Sequence, residues 1–177
     1  MALVDALLPE FDAEIASTRR LLERLPDDRL DWKPHAKSMS LAGLSEHLGQ
    51  LGVWAQLTLT APGVDLEQMA RPPGYTPLAS KAAILAHFDR EMGAARTALV
   101  GRSDAELAAP WTLRRGQQPF FTMPKASVWR TFVMNHVIHH RGQPRPFGQP
   151  AGGLRSNVMT SGKTTGATTS THVDMFT

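Results

Sequence analysis

A chain of 177 residues, 42% hydrophobic and 20% charged, has the size and composition of one globular domain able to bury a real core. The absence of cysteine excludes disulfides, thiolate metal sites and a thiol nucleophile supplied by the protein. The net charge is +3 and the pI about 9.7, but residues 1–140 balance their charges, and the excess lies in Arg141, Arg145, Arg155 and Lys163 against Asp174. A basic folded face of the kind that binds nucleic acid is therefore not expected. No apolar run approaches the roughly 18 residues of a membrane span, and no leader-like segment opens the chain. The expectation is a soluble, cytoplasmic protein with no membrane partner.

Taken in order, Leu8, Phe11, Ile15, Thr18, Leu22 and Leu25 recur at steps of three and four. This predicts a first helix from about Ala6 to Leu25, with Pro9 in its first turn and Pro26 ending it. Residues 26–40 read as a loop anchored by Leu30 and Trp32, with His35 exposed. Ser40 or Ser38 then caps a second helix from about Leu41 to Thr60, on which Leu44, His47, Leu51 and Trp54 share a face. Residues 61–78, rich in proline and glycine, read as a long crossover without an element of its own. Ser80 caps a third helix, Ala82 to Val100, with Ile84, Phe88, Met92, Ala95 and Leu99 buried and His87 on the flank. Ser103 caps one further turn, Trp111 is a plug at the bundle end, and Arg114 with Arg115 is a pair that an anionic substrate would meet if it is not simply solvated.

Pro124 opens a fourth helix, and here the chemistry concentrates. At about 100° per residue, Trp129, Phe132, Val133, His136 and His140 fall within one core-facing arc, with His139 at its edge. His136 and His140 are one turn apart, so two ring nitrogens can reach one cation. His47, inward on the second helix, is a third imidazole if those two helices are neighbours. Burying such rings without partners costs a few kcal/mol. A single inward histidine is more often a hydrogen-bonded core residue, so the alternative of a structural polar cluster stands beside the metal reading. Val137 rules out the H-E-x-x-H motif, and no histidine has a glutamate three residues before it, as di-iron bundles require. Trp54, Trp129 and Phe132 read as core at least as readily as pocket lining. Four helices, mixed loop lengths and no alternating segment predict an all-α four-helix bundle over residues 1–143 with long crossover loops.

The run LDWKPHAKSMSLAGLSEHL, with its Trp-x-x-Pro before a helix bearing one histidine, and the later NHVIHHRGQ closely resemble the DinB/YfiT-like superfamily of small four-helix metalloproteins. The resemblance covers about residues 5–143. It implies that His47, His136 and His140 ligate a divalent metal such as zinc or nickel, with coordination positions left to water. It further implies a small-molecule substrate, a homodimer and, in some members, thiol S-transfer with a low-molecular-weight thiol as co-substrate. His139 and Arg141 are then the residues expected just behind the ligands.

After Gln143 the chain departs from that pattern. Pro144 and Pro146 stop the helix, and residues 144–177 read as an irregular or disordered Ser/Thr-rich tail. A change of reading frame in the gene is one way such an end arises. Gly162-Lys163-Thr164 is not a phosphate loop, because Asn157 stands where the first glycine is required, and His172 has no partner at ligand spacing. The reading preferred from sequence is a metal-dependent transferase or hydrolase. The others are a metal- or ligand-binding bundle without turnover, or a member inactivated by its altered end, and a purely structural helical protein.

Overall fold

The computed structural model describes residues 1–69 and 78–143. The expected tail, with Gly162-Lys163-Thr164 and His172, lies outside these residues, as does part of the expected crossover. The elements run α1 (Leu3–Leu22), a 3-10 turn (Asp27–Arg29), α2 (Leu41–Thr60), β1 (Gly63–Asp65), α3 (Lys81–Leu99), α4 (Asp104–Ala108), β2 (Pro110–Arg115) and β3 (Gln118–Pro124). A last helical stretch follows in three parts: α5 (Lys125–Val128), a π-helical run (Trp129–Met134) and α6 (Asn135–Gly142). The described chain is mostly helical, and it carries a small three-stranded sheet that the all-α expectation did not contain. No helix among the described residues is long and apolar enough to cross a membrane.

The helices follow their patterns. On α1, Phe11, Thr18 and Leu22 are buried. That helix begins at Leu3, however, so Pro9 sits in its interior and not in its first turn. The Asp5 carboxylate accepts the Ala2 N–H at 3.0 Å, and Asp104 accepts the Leu3 N–H at 2.7 Å, so the extra turn is held at its open end. Ser40 caps α2 by accepting the Gly43 N–H, and Ser80 caps α3 by accepting the Ala83 N–H, both at 3.1 Å. All five residues of the expected α3 stripe are buried.

Helix α2 is the centre of the molecule. It is buried on several sides, from Leu41 and Leu44 through Leu48, Leu51, Ala55 and Leu59, and α3 crosses it closely. Gly52 makes that crossing possible: a Cβ there would lie 2.6 Å from the Glu91 backbone carbonyl carbon, closer than real atoms approach. One core cluster joins α1, α2, α3, α4 and the last helical stretch, with Phe11, Leu51, Phe88, Leu107 and Trp129 among its members.

The sheet corrects two expectations, that residues 61–78 hold no element and that residues 110–124 hold no strand. β1 pairs parallel to β2, with Val64 opposite Leu113, and β2 pairs antiparallel to β3, with Trp111 opposite Met123. The alternation was present in Trp111-Thr112-Leu113-Arg114, where Trp111 and Leu113 point inward and their neighbours outward. It spans only four residues, two on each face, too little to outweigh the surrounding proline and glycine. Gly116 makes the hairpin turn at φ 57°, a conformation that favours glycine. Trp111, expected as a plug, is fully buried with Val64, Leu113 and Val128 in a second cluster, and its indole N–H donates to the Leu57 carbonyl at 3.2 Å.

The close crossing of α2 and α3 should be visible in stability. Gly52→Ala is expected to lower stability by about 1–3 kcal/mol, because the backbone of α3 must move. Gly93→Ala, where nothing lies within 4 Å of the added carbon, is expected to raise it by about 0.5–1 kcal/mol through helix propensity alone. Urea unfolding of the two variants beside the parent checks the pair.

Candidate metal centre

Three of the histidines meet. His47 on α2 and His136 on α6, far apart in sequence, bring their Nε2 atoms to 3.4 Å, and the Nε2 atoms of His136 and His140 are 2.7 Å apart. One ligand nitrogen from each ring lies within 4.8 Å of the other two, and among the described residues no other group of three His, Cys, Asp or Glu converges in this way. The ring centroids are 5.2 Å apart for His47 and His136, 4.7 Å for His47 and His140 and 4.5 Å for His136 and His140.

The π-helical run sets the aim of the last two rings. A π turn closes i→i+5 bonds and so takes up one more residue than an α turn. At its end and beyond, the fully buried positions are Val133, Met134 and Val137, while Phe132, His136 and His140 are half-buried beside them. The sequence expectation placed these two histidines in one arc with Trp129 and Val133. The structure instead gives the core to the apolar residues and turns the imidazoles along the flank, toward His47. His47 itself is 9% exposed, so the group sits at the edge of the core.

Hydrogen bonds fix how each ring presents itself. His140 donates its Nδ1 hydrogen to the Gln143 side-chain oxygen at 2.7 Å, which leaves the lone pair on Nε2. His47 is hydrogen-bonded to the Gln50 side chain and His136 to the Phe132 carbonyl. Both Nε2 atoms face the other histidines, and a cation at the common point would require each of them to be unprotonated. Burial, with the neighbouring His140 second, pushes His47 from the usual 6.5 down to about 4. Burial followed by His140, His47 and His139 pushes His136 to about 4 as well, and burial also lowers His140. All three are thus neutral at pH 7, the state that ligates a metal.

This donor set fits a divalent cation. Bonds of about 2.0–2.1 Å at a tetrahedral angle put two ligand nitrogens about 3.3 Å apart, close to the 3.4 Å between His47 and His136. The 2.7 Å between His136 and His140 is shorter, and binding would open it by about 0.6 Å through rotation of half-buried rings.

The remaining expected residues separate. His139 is exposed and reaches the Gln143 side-chain nitrogen, 3.2 Å from its Nε2. Arg141 forms an ion pair with Glu14 and donates to the Glu14 carbonyl at 3.2 Å, so it ties α6 to α1. Trp129 is core, with its ring 5.2 Å from that of Phe11. Phe132 lies 6.1 Å from the His136 ring and Trp54 lies 5.6 Å from Phe132, both half-buried beside the histidines. Arg114 is engaged by Asp65 at 3.3 Å and by the Gly116 carbonyl at 3.1 Å, so it braces the sheet, while Arg115 is exposed. His35 is exposed, as expected. His87 packs its ring over Gly49 with Arg90 2.8 Å from its Nδ1, apart from the three. Sequence reasoning missed Gln50, Gln143 and Glu14. The two glutamines had a signal, since each follows a ligand candidate by three residues, Gln50 on the same helix and Gln143 just past its end.

With this geometry in view, the comparisons give the class of protein. The sequence matches the DinB superfamily over residues 10–143, and the chain belongs to that family. Its fold is similar to that of a DinB-like protein of Bacillus subtilis, YjoA, at 16% identity and a TM-score of 0.62, over 82% of this chain and 94% of that one. A DinB-like protein of Bacillus cereus is similar at 22% identity and a TM-score of 0.61, over 85% and 96%. No curated protein matches the chain in sequence.

The lowered histidines carry a pH signature in the metal-free protein. An unfolded chain takes up protons near 6.5, whereas folded His47 and His136 do so only near 4. The unfolded state therefore binds more protons between these values, and stability should be level above about pH 7 and fall as the pH drops through 6.5 toward 4. Denaturation midpoints at pH 7.5, 6 and 5 measure this, and the slope should be shallower in His47→Gln.

Proposed function

We propose that the protein is a divalent-metal-dependent enzyme of transferase or hydrolase type, with His47, His136 and His140 as the ligands and zinc or nickel as the ion. The observation that carries this reading is the convergence of three imidazoles, drawn from two distant helices, whose ligand nitrogens all lie within 4.8 Å of one another. Three protein ligands leave a position open, and a metal so held lowers the pKa of water or of a small thiol bound there. Because the chain has no cysteine, a thiol nucleophile has to come from a low-molecular-weight co-substrate.

The chain's own residues supply the surroundings. Gln50, Gln143 and the Phe132 carbonyl hold the three rings in orientation. Arg141 anchors the end of α6 to Glu14, behind the ligand pair. Phe132 and Trp54 offer a half-buried aromatic wall beside His136, against which a small apolar substrate group would pack. We read α1, α2, α3 and the last helical stretch as the bundle of the family. We also take the protein to act as a cytoplasmic homodimer on a small molecule, as its family resemblance implies.

Metal analysis of protein purified without an affinity tag tests the centre. About one ion per chain is expected, lost in His136→Ala. With free metal about a thousandfold above its Kd, the bound ion adds about 4 kcal/mol, which for a chain of this length raises Tm by roughly 10 °C relative to chelator. Equal melting with and without chelator would show a structural histidine cluster. Assays of electrophile conjugation with several small thiols, and of ester and amide hydrolysis, then test turnover. A metal-loaded protein inactive in all of them would favour binding without catalysis.

A further inference from the structure

The outer hydrogen bonds of the histidine group are unequal. His47 and His136 are oriented by Gln50, one turn along its own helix, and by a backbone carbonyl. His140, at the end of α6, is held by the side chain of Gln143, the residue just past that helix. The Gln143 amide is shared between two rings: its oxygen lies 2.7 Å from Nδ1 of His140, and its nitrogen lies 3.2 Å from Nε2 of His139.

A side-chain amide has one acceptor end and one donor end. With the oxygen on His140, the His140 Nδ1 must carry the hydrogen. With the nitrogen on His139, the His139 Nε2 must be the acceptor. The orientation of one amide thus sets the tautomers of two histidines, and His139 in turn keeps the amide from turning over. If the amide were reversed, its N–H would face Nδ1 of His140, the hydrogen of that ring would move to Nε2, and the lone pair needed at the common point would be gone.

We propose that Gln143 is a positioning residue that fixes His140 in the Nδ1–H tautomer and so delivers its Nε2 lone pair to the point shared with His47 and His136, with His139 holding the amide in that sense. The inference rests on the metal-centre reading for its consequence. It assigns to Gln143 the part that carboxylates and carbonyls play behind ligating histidines, where loss of the outer partner typically weakens metal binding about 10- to 100-fold. Arg141 leaves Gln143 free for this, since its own guanidinium is engaged by Glu14 on α1.

The test compares zinc affinity, by chelator competition, in the parent, Gln143→Met and Gln143→Glu. Gln143 is exposed, so neither variant should disturb folding, and far-UV circular dichroism with melting curves confirms it. Gln143→Met, similar in size but without an acceptor, is expected to bind zinc about 10- to 100-fold more weakly. Gln143→Glu, which keeps the acceptor, is expected to bind as tightly as the parent or more tightly. In the zinc-loaded parent, ring nitrogen NMR should show His140 protonated at Nδ1 and metal-bound at Nε2. Undiminished affinity in Gln143→Met, or equal losses in both variants, overturns the role of Gln143 while leaving the metal centre standing. A parent that binds no zinc overturns the metal-centre reading itself, and the positioning role with it.

Discussion

The structure depends on a constraint that no single segment satisfies: an imidazole from α2 must meet two from α6, a pairing that spans 89 residues of sequence. Burial is what makes the meeting chemically useful. It keeps the rings neutral at pH 7 by penalising the charged form, the state in which an imidazole nitrogen can ligate a metal being the neutral one. Fully exposed histidines would titrate near their ordinary value and would carry no fixed orientation.

Two devices in the packing hold the rings at the right height. On one side, α2 runs through the middle of the molecule and crosses α3 closely at Gly52, where a Cβ would lie 2.6 Å from the Glu91 backbone. On the other, the π-helical run rotates the end of the last helix, so that apolar residues keep the core and the histidines line its flank. Arg141 then fastens this end to α1 through Glu14, partly sheltered from solvent. An exposed ion pair contributes little to stability. Here its consequence is positional, because it fixes Arg141, which directly follows His140 and stands two residues before Gln143.

The sheet has a supporting role. It covers the end of α2 and the start of the last helical stretch with a second apolar cluster around Trp111. Its hairpin is pinned by Asp65, which accepts the Gly116 N–H at 2.9 Å and faces Arg114. This places Phe121 next to Phe132, with ring centroids 5.9 Å apart, so the sheet backs the aromatic wall beside His136.

Sequence by itself determined the helices whose apolar residues recur with an α-helical period, their serine caps at Ser40, Ser80 and Ser103, and the identity of the three histidines that come together. These features are local, since periodicity and capping are decided within a few residues of the chain. What only the tertiary structure decided were the strands, the π-helical run and the partners of the rings. The strands are too short to show a period and exist through pairing with one another. Within the π run, Trp129 packs on Phe11 of α1, and Phe132 packs on Trp54 of α2 and Phe121 of the sheet, contacts that local periodicity does not specify. Glu14 reaches Arg141 across 127 residues, a separation that no spacing rule spans. The chain thus wrote its helices in the short range and its site in the long, because an ion-sized point is defined only once distant surfaces have packed.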